Sequence, residues 1–219
     1  FYKRKRLKPP DVVIPRIATS VASYGLAVVE QFSMRGSLLM NTARAIGQSR
    51  NPMRCLQLLS KAGVDIPATV MAREAADLKE MVSLVGGVPV LVKLLQGQER
   101  RGVMVCETLQ SLEAALEAVL GLGQNLVVQE YVKTRGADVR VFVVGGEALC
   151  AVRRHPPTGR LRRSLTKGAR LEAMEVTPTH RVAAETSAKL CELEICAVDL
   201  LAVRGGPQVF ELTSSPAIS

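Results

Sequence analysis

Two acidic residues and a threonine lie in the last two strand-like runs of the chain, where they could bind a metal ion. The stretch ICAVDLLAVRGGPQVFELTSS predicts a β-hairpin. With the turn centred on Gly205, Asp199 faces Glu211, and Thr213 lies on the same face as Glu211. Opposed carboxylates about 5 Å apart destabilise a sheet unless a cation separates them. Hard oxygen donors of this kind suit Mg²⁺.

The same register places Leu201 opposite Val209 and Val203 opposite Pro207. Two other interpretations of the acidic pair stay open. A Lys or Arg side chain could neutralise the two carboxylates. Alternatively, a register shift by one residue would put the two acids on opposite faces of the sheet.

A lysine and a glycine-bounded loop are candidates for phosphate binding. Lys93 ends the apolar run VPVLVK, so its amine either reaches solvent or lines a site that needs positive charge. The following segment GQERRG could fold its backbone N–H groups over a phosphate, although most loops between strands bind no ligand.

A run of basic residues follows the first hairpin of the second half. It could be a solvated loop, a clamp for phosphates or an acidic peptide, or a nucleic-acid surface. The segment has no aromatic side chain to stack on a base, so nucleic acid is the weakest of these interpretations. Between residues 153 and 170 the basic residues are Arg153, Arg154, Arg160, Arg162, Arg163, Lys167 and Arg170.

The composition excludes several classes of protein. The chain has 219 residues, 47% of them hydrophobic, and a formal net charge of +9, which favours anionic partners. No apolar run approaches the roughly 20 residues of a membrane span. The five cysteines and two histidines show no zinc-binding spacing. We therefore expect a cytoplasmic protein whose cysteines are reduced thiols of the core.

The elements that position these residues have an α+β pattern. The first part is rich in helices, and the second part consists mainly of antiparallel hairpins. Helices are predicted at 20–34, in a short segment capped by Asn41 that ends at 49, and at 51–63, 74–85, 109–121 and 178–194. Strands are predicted at 12–15 and 67–72, twice within 88–107, at 125–132, and in hairpins around Gly145 and Gly205.

Five segments together resemble a RimK-type ligase of the ATP-grasp superfamily. They are DVVIPRIATSVASYGLAVVEQF, SRNPMRCLQLLSKAGVDIP, VLVKLLQGQERRGVMVCET, LVVQEYVKTRGADVRVFVVGGEALCAVRR and AVDLLAVRGGPQVFELTSSPAIS. The resemblance implies two α/β lobes, 51–124 and 125–219, that enclose a nucleotide. It also implies that 1–50 is the remnant of an N-terminal α/β domain, with further residues before Phe1 and a last helix after Ser219.

The resemblance also implies an activity. Such ligases use ATP and Mg²⁺, or Mn²⁺, to convert a carboxylate into an acylphosphate, which an amine attacks to give a peptide-type amide. An acidic peptide or a protein C-terminus is the implied acceptor, and relatives often form tetramers. The implied metal ligands are Asp199, Glu211 and Thr213, and the implied catalytic residue is Arg162, which would hold the reacting carboxylate or phosphate. The implied nucleotide-binding residues are Lys93, Gln129, Glu130, Tyr131, Val132, Asp138, Arg162, Arg163 and Ser164.

Four positions depart from the pattern of the family. Thr213 stands where an Asn ligand is usual, and Pro52 stands where a second ATP-contacting lysine is expected. The segment GQERRG is poorer in glycine than usual, and Arg162-Arg163-Ser164 replaces Arg-Ser-Asn. An alternative is therefore a degenerate module that binds a nucleotide or a protein partner without ligating.

Overall fold

A computed structural model describes residues 7–72, 78–94, 103–123, 125–134, 137–155 and 170–217. Its α-helices are α1 (Ala22–Ser33), α2 (Ala43–Ser49), α3 (Pro52–Lys61), α4 (Leu78–Leu84), α5 (Leu109–Gly121) and α6 (Pro178–Leu190), with a short 3-10 turn at Thr19–Val21. Its strands are β1 (Val12–Val13), β2 (Leu38–Leu39), β3 (Thr69–Ala72), β4 (Val90–Leu94), β5 (Val103–Cys106), β6 (Leu126–Glu130), β7 (Asp138–Val144), β8 (Glu147–His155), β9 (Arg170–Met174), β10 (Ile195–Val203) and β11 (Gly206–Thr213).

Capping residues fix where the helices begin. The Asn51 side chain accepts a hydrogen bond from the Arg54 N–H, and Pro52 occupies the first turn of α3, where its missing N–H costs nothing. Thr108 and Ser111 form a reciprocal capping box at the start of α5. The prediction that Asn41 caps α2 is wrong, because Thr42 is the capping residue.

The smaller sheet has the order β3-β6-β4-β5, and all its pairs are antiparallel. Alternate residues of β4 and β6 pack with α4 and α5 in one apolar core; Val92 and Leu126 are among them. The intervening residues point to the other face, where Lys93 lies opposite Val127 and Leu91 lies opposite Gln129. This pleat directs Lys93 away from the core of its own lobe.

The larger sheet has the order β11-β10-β7-β8-β9, again entirely antiparallel. One face, which includes Val141 and Leu200, packs against α6 in a second apolar core. The other face carries Asp138, Arg140 and Asp199. A two-residue turn at Gly145-Gly146, with φ of +59° and +83°, joins β7 to β8 as the sequence predicts.

Strand β6 and helix α3 join the two sheets in a way that chain order alone does not indicate. Strand β6 pairs with β3 and β4, so residues 126–130 belong to the smaller sheet. Helix α3 contributes Cys55 and Leu59 to the core of the larger sheet. Pairing partners and apolar contacts decide these assignments, and the linear order of the elements does not reveal them.

The N-terminal unit is a parallel β1–β2 pair with α1 and α2 beside it. Asn41, which is 1% exposed, connects this unit to the larger sheet. Its amide donates to the carbonyl oxygens of Ile195 (2.7 Å) and Ser214 (3.1 Å), and its Oδ1 accepts from the Ile195 N–H (2.9 Å). Arg16 adds a hydrogen bond to the Pro216 carbonyl oxygen at 2.8 Å. None of the helices in the described part of the chain is long and apolar enough to cross a membrane.

Candidate active site

The acidic pair lies on neighbouring strands in the register that the sequence predicts. Asp199 on β10 is the direct partner of Glu211 on β11, and Thr213 pairs with Ala197 two residues further along. All three predicted metal-binding side chains therefore point to the face of the larger sheet that is opposite α6. The register shift by one residue, considered as an alternative, does not occur.

A β-bulge at Phe210 changes the pairing beyond the acids. Leu200 pairs with Val209 and Asp199 pairs with Glu211, so Phe210 is an extra residue on β11. The predicted pairs Leu201–Val209 and Val203–Pro207 are consequently wrong: the partners are Gln208 and Gly206. Bulges of this kind redirect side chains and are frequent beside active sites.

Two arginines bind Asp138 and Asp199 on this face. Arg140 is the other cross-strand neighbour of Asp199 and binds both of its carboxylate oxygens at 2.7 Å. Arg154 binds both oxygens of Asp138, at 2.7 and 2.6 Å, and approaches Asp199 Oδ2 at 3.0 Å. The alternative of a neutralising cation is thus realised for Asp199, whose carboxylate both arginines contact.

Burial makes this network electrostatically costly to disrupt. Asp138 and Asp199 are both 0% exposed. Burial raises the pKa of Asp138, and the hydrogen bond and charge of Arg154 oppose that rise. Burial on its own would lower the pKa of the Arg154 guanidinium. Its hydrogen bond to Asp138 and the negative charges of Asp199 and Asp138 outweigh burial and raise that pKa. Arg154 therefore remains protonated at every accessible pH.

The donor set on this face fits a hard divalent cation. Asp199 and Glu211 supply carboxylate oxygens from adjacent strands, and Thr213 supplies a neutral oxygen on the same face. Within the described ranges, three or more His, Cys, Asp or Glu side chains nowhere form a metal-binding group, so a metal here would need other oxygen donors as well.

Lys93 of the smaller sheet approaches the strand that carries Glu211. Its Nζ lies over the Phe210 ring, 5.9 Å from the centroid, within the range of a cation–π interaction. The bulge presents Phe210 next to Glu211, so the lysine and the acids of the two sheets converge on one region. The role of Lys93 in phosphate binding stays a prediction.

The segment predicted to hold adenine begins as β6 and ends as an irregular connection. Gln129 is buried, and its Nε2 donates to Thr69 Oγ1 at 2.8 Å. The Glu130 N–H donates to the Ala68 carbonyl oxygen at 2.8 Å, and Glu130 Oε2 accepts from the Ala68 N–H at 3.2 Å. Tyr131 and Val132 follow the last residue of the strand, which ends two residues earlier than the sequence predicts.

The remaining predicted site residues are Asp138 and the basic segment at 162–164. Asp138, predicted to lie near the ribose, is the buried partner of Arg154. Arg162, Arg163 and Ser164 lie outside the described residues. Sequence reasoning overlooked Arg140 and gave Arg154 only to the basic run. Strand alternation could have identified Arg140, because Asp138 and Arg140 are two residues apart in one strand and must share a face.

Two family models together match nearly the whole chain. Residues 49–219 match the RimK-like ATP-grasp domain, and residues 1–46 match the RimK PreATP-grasp domain. A "Probable alpha-L-glutamate ligase" of Methanococcoides burtonii is 42% identical over 218 residues, which are 99% of this chain and 72% of the relative. A protein of the same name from Pseudomonas putida strain GB-1 is 41% identical over the same shares.

Solved structures confirm the ATP-grasp fold. The ATP-grasp ligase PsnB complexed with minimal precursor has a TM-score of 0.74 at 23% identity, covering 95% of this chain and 72% of that chain. D-alanine–D-alanine ligase from Bacillus anthracis has a TM-score of 0.75 at 18% identity, with coverages of 90% and 68%. A RimK domain protein from Sphaerobacter thermophilus has a TM-score of 0.72 at 18% identity, with coverages of 97% and 79%. On its sequence match to both RimK domains, the chain belongs to the RimK-like ATP-grasp family.

Proposed function

We propose that the chain is an ATP-dependent carboxylate–amine ligase that forms a peptide-type amide through an acylphosphate. One observation carries the proposal: Lys93 from the smaller sheet meets Phe210, next to the opposed acids Asp199 and Glu211 of the larger sheet. Transfer of a phosphoryl group requires positive charge around its oxygens. A lysine on one surface and oxygen donors for a metal ion on the facing surface would supply that charge.

The proposed roles follow from position. Lys93 binds the nucleotide phosphates, while Gln129, Glu130, Tyr131 and Val132 border adenine. Because the Glu130 N–H already bonds to Ala68, the adenine hydrogen bonds must come from other backbone groups of this segment. Asp138 is fully buried against Arg154, so it would contact a ribose only if Arg154 released it.

The metal ligands are proposed to be Asp199, Glu211 and Thr213. A divalent ion bound there, Mg²⁺ or Mn²⁺, would neutralise charge on the phosphates of ATP. Arg140 and Arg154 hold Asp199 and so fix the orientation of its carboxylate. We assign Arg162 to the reacting carboxylate or phosphate on family resemblance alone.

Glutamate is the first candidate for the added amino acid, and an acidic peptide or protein C-terminus is the candidate acceptor. Two kinds of support exist. The curated relatives at about 41–42% identity are named alpha-L-glutamate ligases, and PsnB structures contain precursor peptides. The basic run between residues 153 and 170 also suits an anionic acceptor.

Release of ADP tests the proposal directly. Protein would be incubated with ATP, Mg²⁺, glutamate and a panel of acidic peptides, and mass spectrometry would detect any extended peptide. We expect ADP and product with at least one acceptor, and loss of both in Lys93→Met. Lys189→Met is the matched control, since Lys189 is an exposed lysine of α6 on the other side of the larger sheet. Absence of ADP with every acceptor would refute the ligase.

A module that binds nucleotide without ligating is the second candidate. The structure places Pro52 in the first turn of α3, so this position has no amine for ATP. Thr213 offers a weaker oxygen donor than the usual Asn. Calorimetry with ATP discriminates between the two functions: binding that requires Mg²⁺ supports the ligase, whereas Mg²⁺-independent or absent binding supports the degenerate module.

A further inference from the structure

Two thiols from distant parts of the chain touch inside the core of the larger sheet. The sulfur atoms of Cys55 and Cys191 are 3.8 Å apart, although 136 positions separate them in the sequence. Cys55 lies in α3 and is 4% exposed; Cys191 is the C-cap residue of α6 and is fully buried. Both are free thiols. Because the two cysteines belong to different helices, a covalent bond between their sulfurs would link α3 to the end of α6.

We propose that Cys55 and Cys191 form a reversible disulfide that joins α3 to the end of α6 when the protein meets a small oxidant. A disulfide bond is about 2.05 Å long, so the sulfurs would have to approach by about 1.8 Å from 3.8 Å. The pair lies on the α6 side of the larger sheet, opposite the acids, so the inference does not depend on the proposed ligase activity.

The two sulfurs have different roles in the reaction. The contact with Cys55 at 3.8 Å lowers the pKa of Cys191, so we expect Cys191 to react first. Its sulfur attacks the O–O bond of hydrogen peroxide, which leaves a sulfenic acid and hydroxide. The Cys55 sulfur then displaces water from the sulfenic acid. In total, two thiols lose two protons and two electrons, and one peroxide becomes two waters.

Burial determines which oxidants can act. Cys191 has no exposed surface, so its oxidant must be as small as hydrogen peroxide, and oxidised glutathione is too bulky to reach it. A third thiol, Cys196, lies near enough for its pKa to respond to the charge of Cys191. Burial, with a smaller contribution from Cys191, raises the pKa of Cys196 to about 12, so Cys196 is not the thiolate that attacks peroxide.

Peptide mapping of the oxidised full chain tests the proposal. The exposed Cys150 would first be changed to Ser, because it could link two molecules. After treatment with hydrogen peroxide and alkylation under denaturing conditions, mass spectrometry should find the Cys55 and Cys191 peptides joined. Dithiothreitol should separate them, and oxidised glutathione should produce the bond far more slowly. The oxidised form should melt about 5–10 °C higher than the reduced form.

Two variants make the result specific. Cys55→Ala should lose both the bond and the rise in Tm. Cys106→Ala, which removes an equally buried thiol from the other core, should keep both. Recovery of both thiols in alkylated form after peroxide treatment would overturn the proposal, and so would a bond that joins Cys191 to Cys196.

Discussion

Removing the guanidinium of Arg154 should destabilise the protein far more than removing an exposed one. In Arg154→Met, Asp138 loses both of its hydrogen bonds, at 2.7 and 2.6 Å, while it stays fully buried. Breaking a buried ion pair by deleting one partner costs about 3–5 kcal/mol, because an uncompensated charge remains in the interior. We expect a loss of that size in the free energy of unfolding measured with urea.

A surface pair of the same length provides the control. Arg44 and Glu192 are 2.8 Å apart, but their side chains are 76% and 48% exposed. Arg44→Met should therefore cost less than about 1 kcal/mol. In the Asp138→Asn background, Arg154→Met should cost about 2 kcal/mol less than it does alone, since no carboxylate is left without its partner. Equal losses at Arg154 and Arg44, or no coupling to Asp138, would refute the reasoning.

The pH dependence of the same variant has a defined sign. Burial raises the pKa of folded Asp138, so its contribution to stability is fully present below the unfolded pKa, about 3.9, and is lost as the pH rises through the folded pKa. Arg154 opposes that rise, and its removal moves the folded pKa higher still. The loss of stability in Arg154→Met should thus shrink as the pH falls from about 7.5 to about 5. A loss that grows on acidification would contradict the assignment.

Three further predictions concern other elements. If Thr213 faces the metal, Thr213→Asn should tighten Mg²⁺ binding by about 1 kcal/mol in calorimetry with ATP, and unchanged affinity would argue against that placement. Phe210→Leu should raise the KM for ATP about two- to fivefold with little change in kcat, because Lys93 loses its ring contact of 5.9 Å, whereas Phe210→Tyr should keep the wild-type KM. Thr108→Ala should lower the free energy of unfolding by about 1 kcal/mol through the cap of α5, and a change below about 0.3 kcal/mol would show that the capping box is dispensable.

The hairpin shows what sequence reasoning can and cannot reach. Alternation and turn chemistry were enough to place Asp199 opposite Glu211, because the pairing rule is local. The bulge at Phe210 was not predictable in the same way, since an extra residue in one strand depends on packing around the turn. Beyond the bulge every predicted partner was displaced, although the acids themselves were unaffected.

The arginine network shows a second limit. Strand alternation places Asp138 and Arg140 on one face, but the partner of each depends on which strands become neighbours. Strand order in the larger sheet puts β7 between β10 and β8, and so brings Arg154 to Asp138. Hydrophobic periodicity predicts single strands and helices, so it could not predict this strand order. The ATP-grasp fold itself, in contrast, was predictable from the resemblance, and the comparisons confirm it.

The buried Asn41 has a mechanical consequence. Its three hydrogen bonds attach the N-terminal unit to the first residue of β10, Ile195, and to Ser214, which directly follows β11. Any swing of the N-terminal unit would therefore pull on the residue that follows Thr213. We therefore expect any opening and closing around a nucleotide to be a rotation of the smaller sheet, about the chain segments that lead into β3 and out of β6.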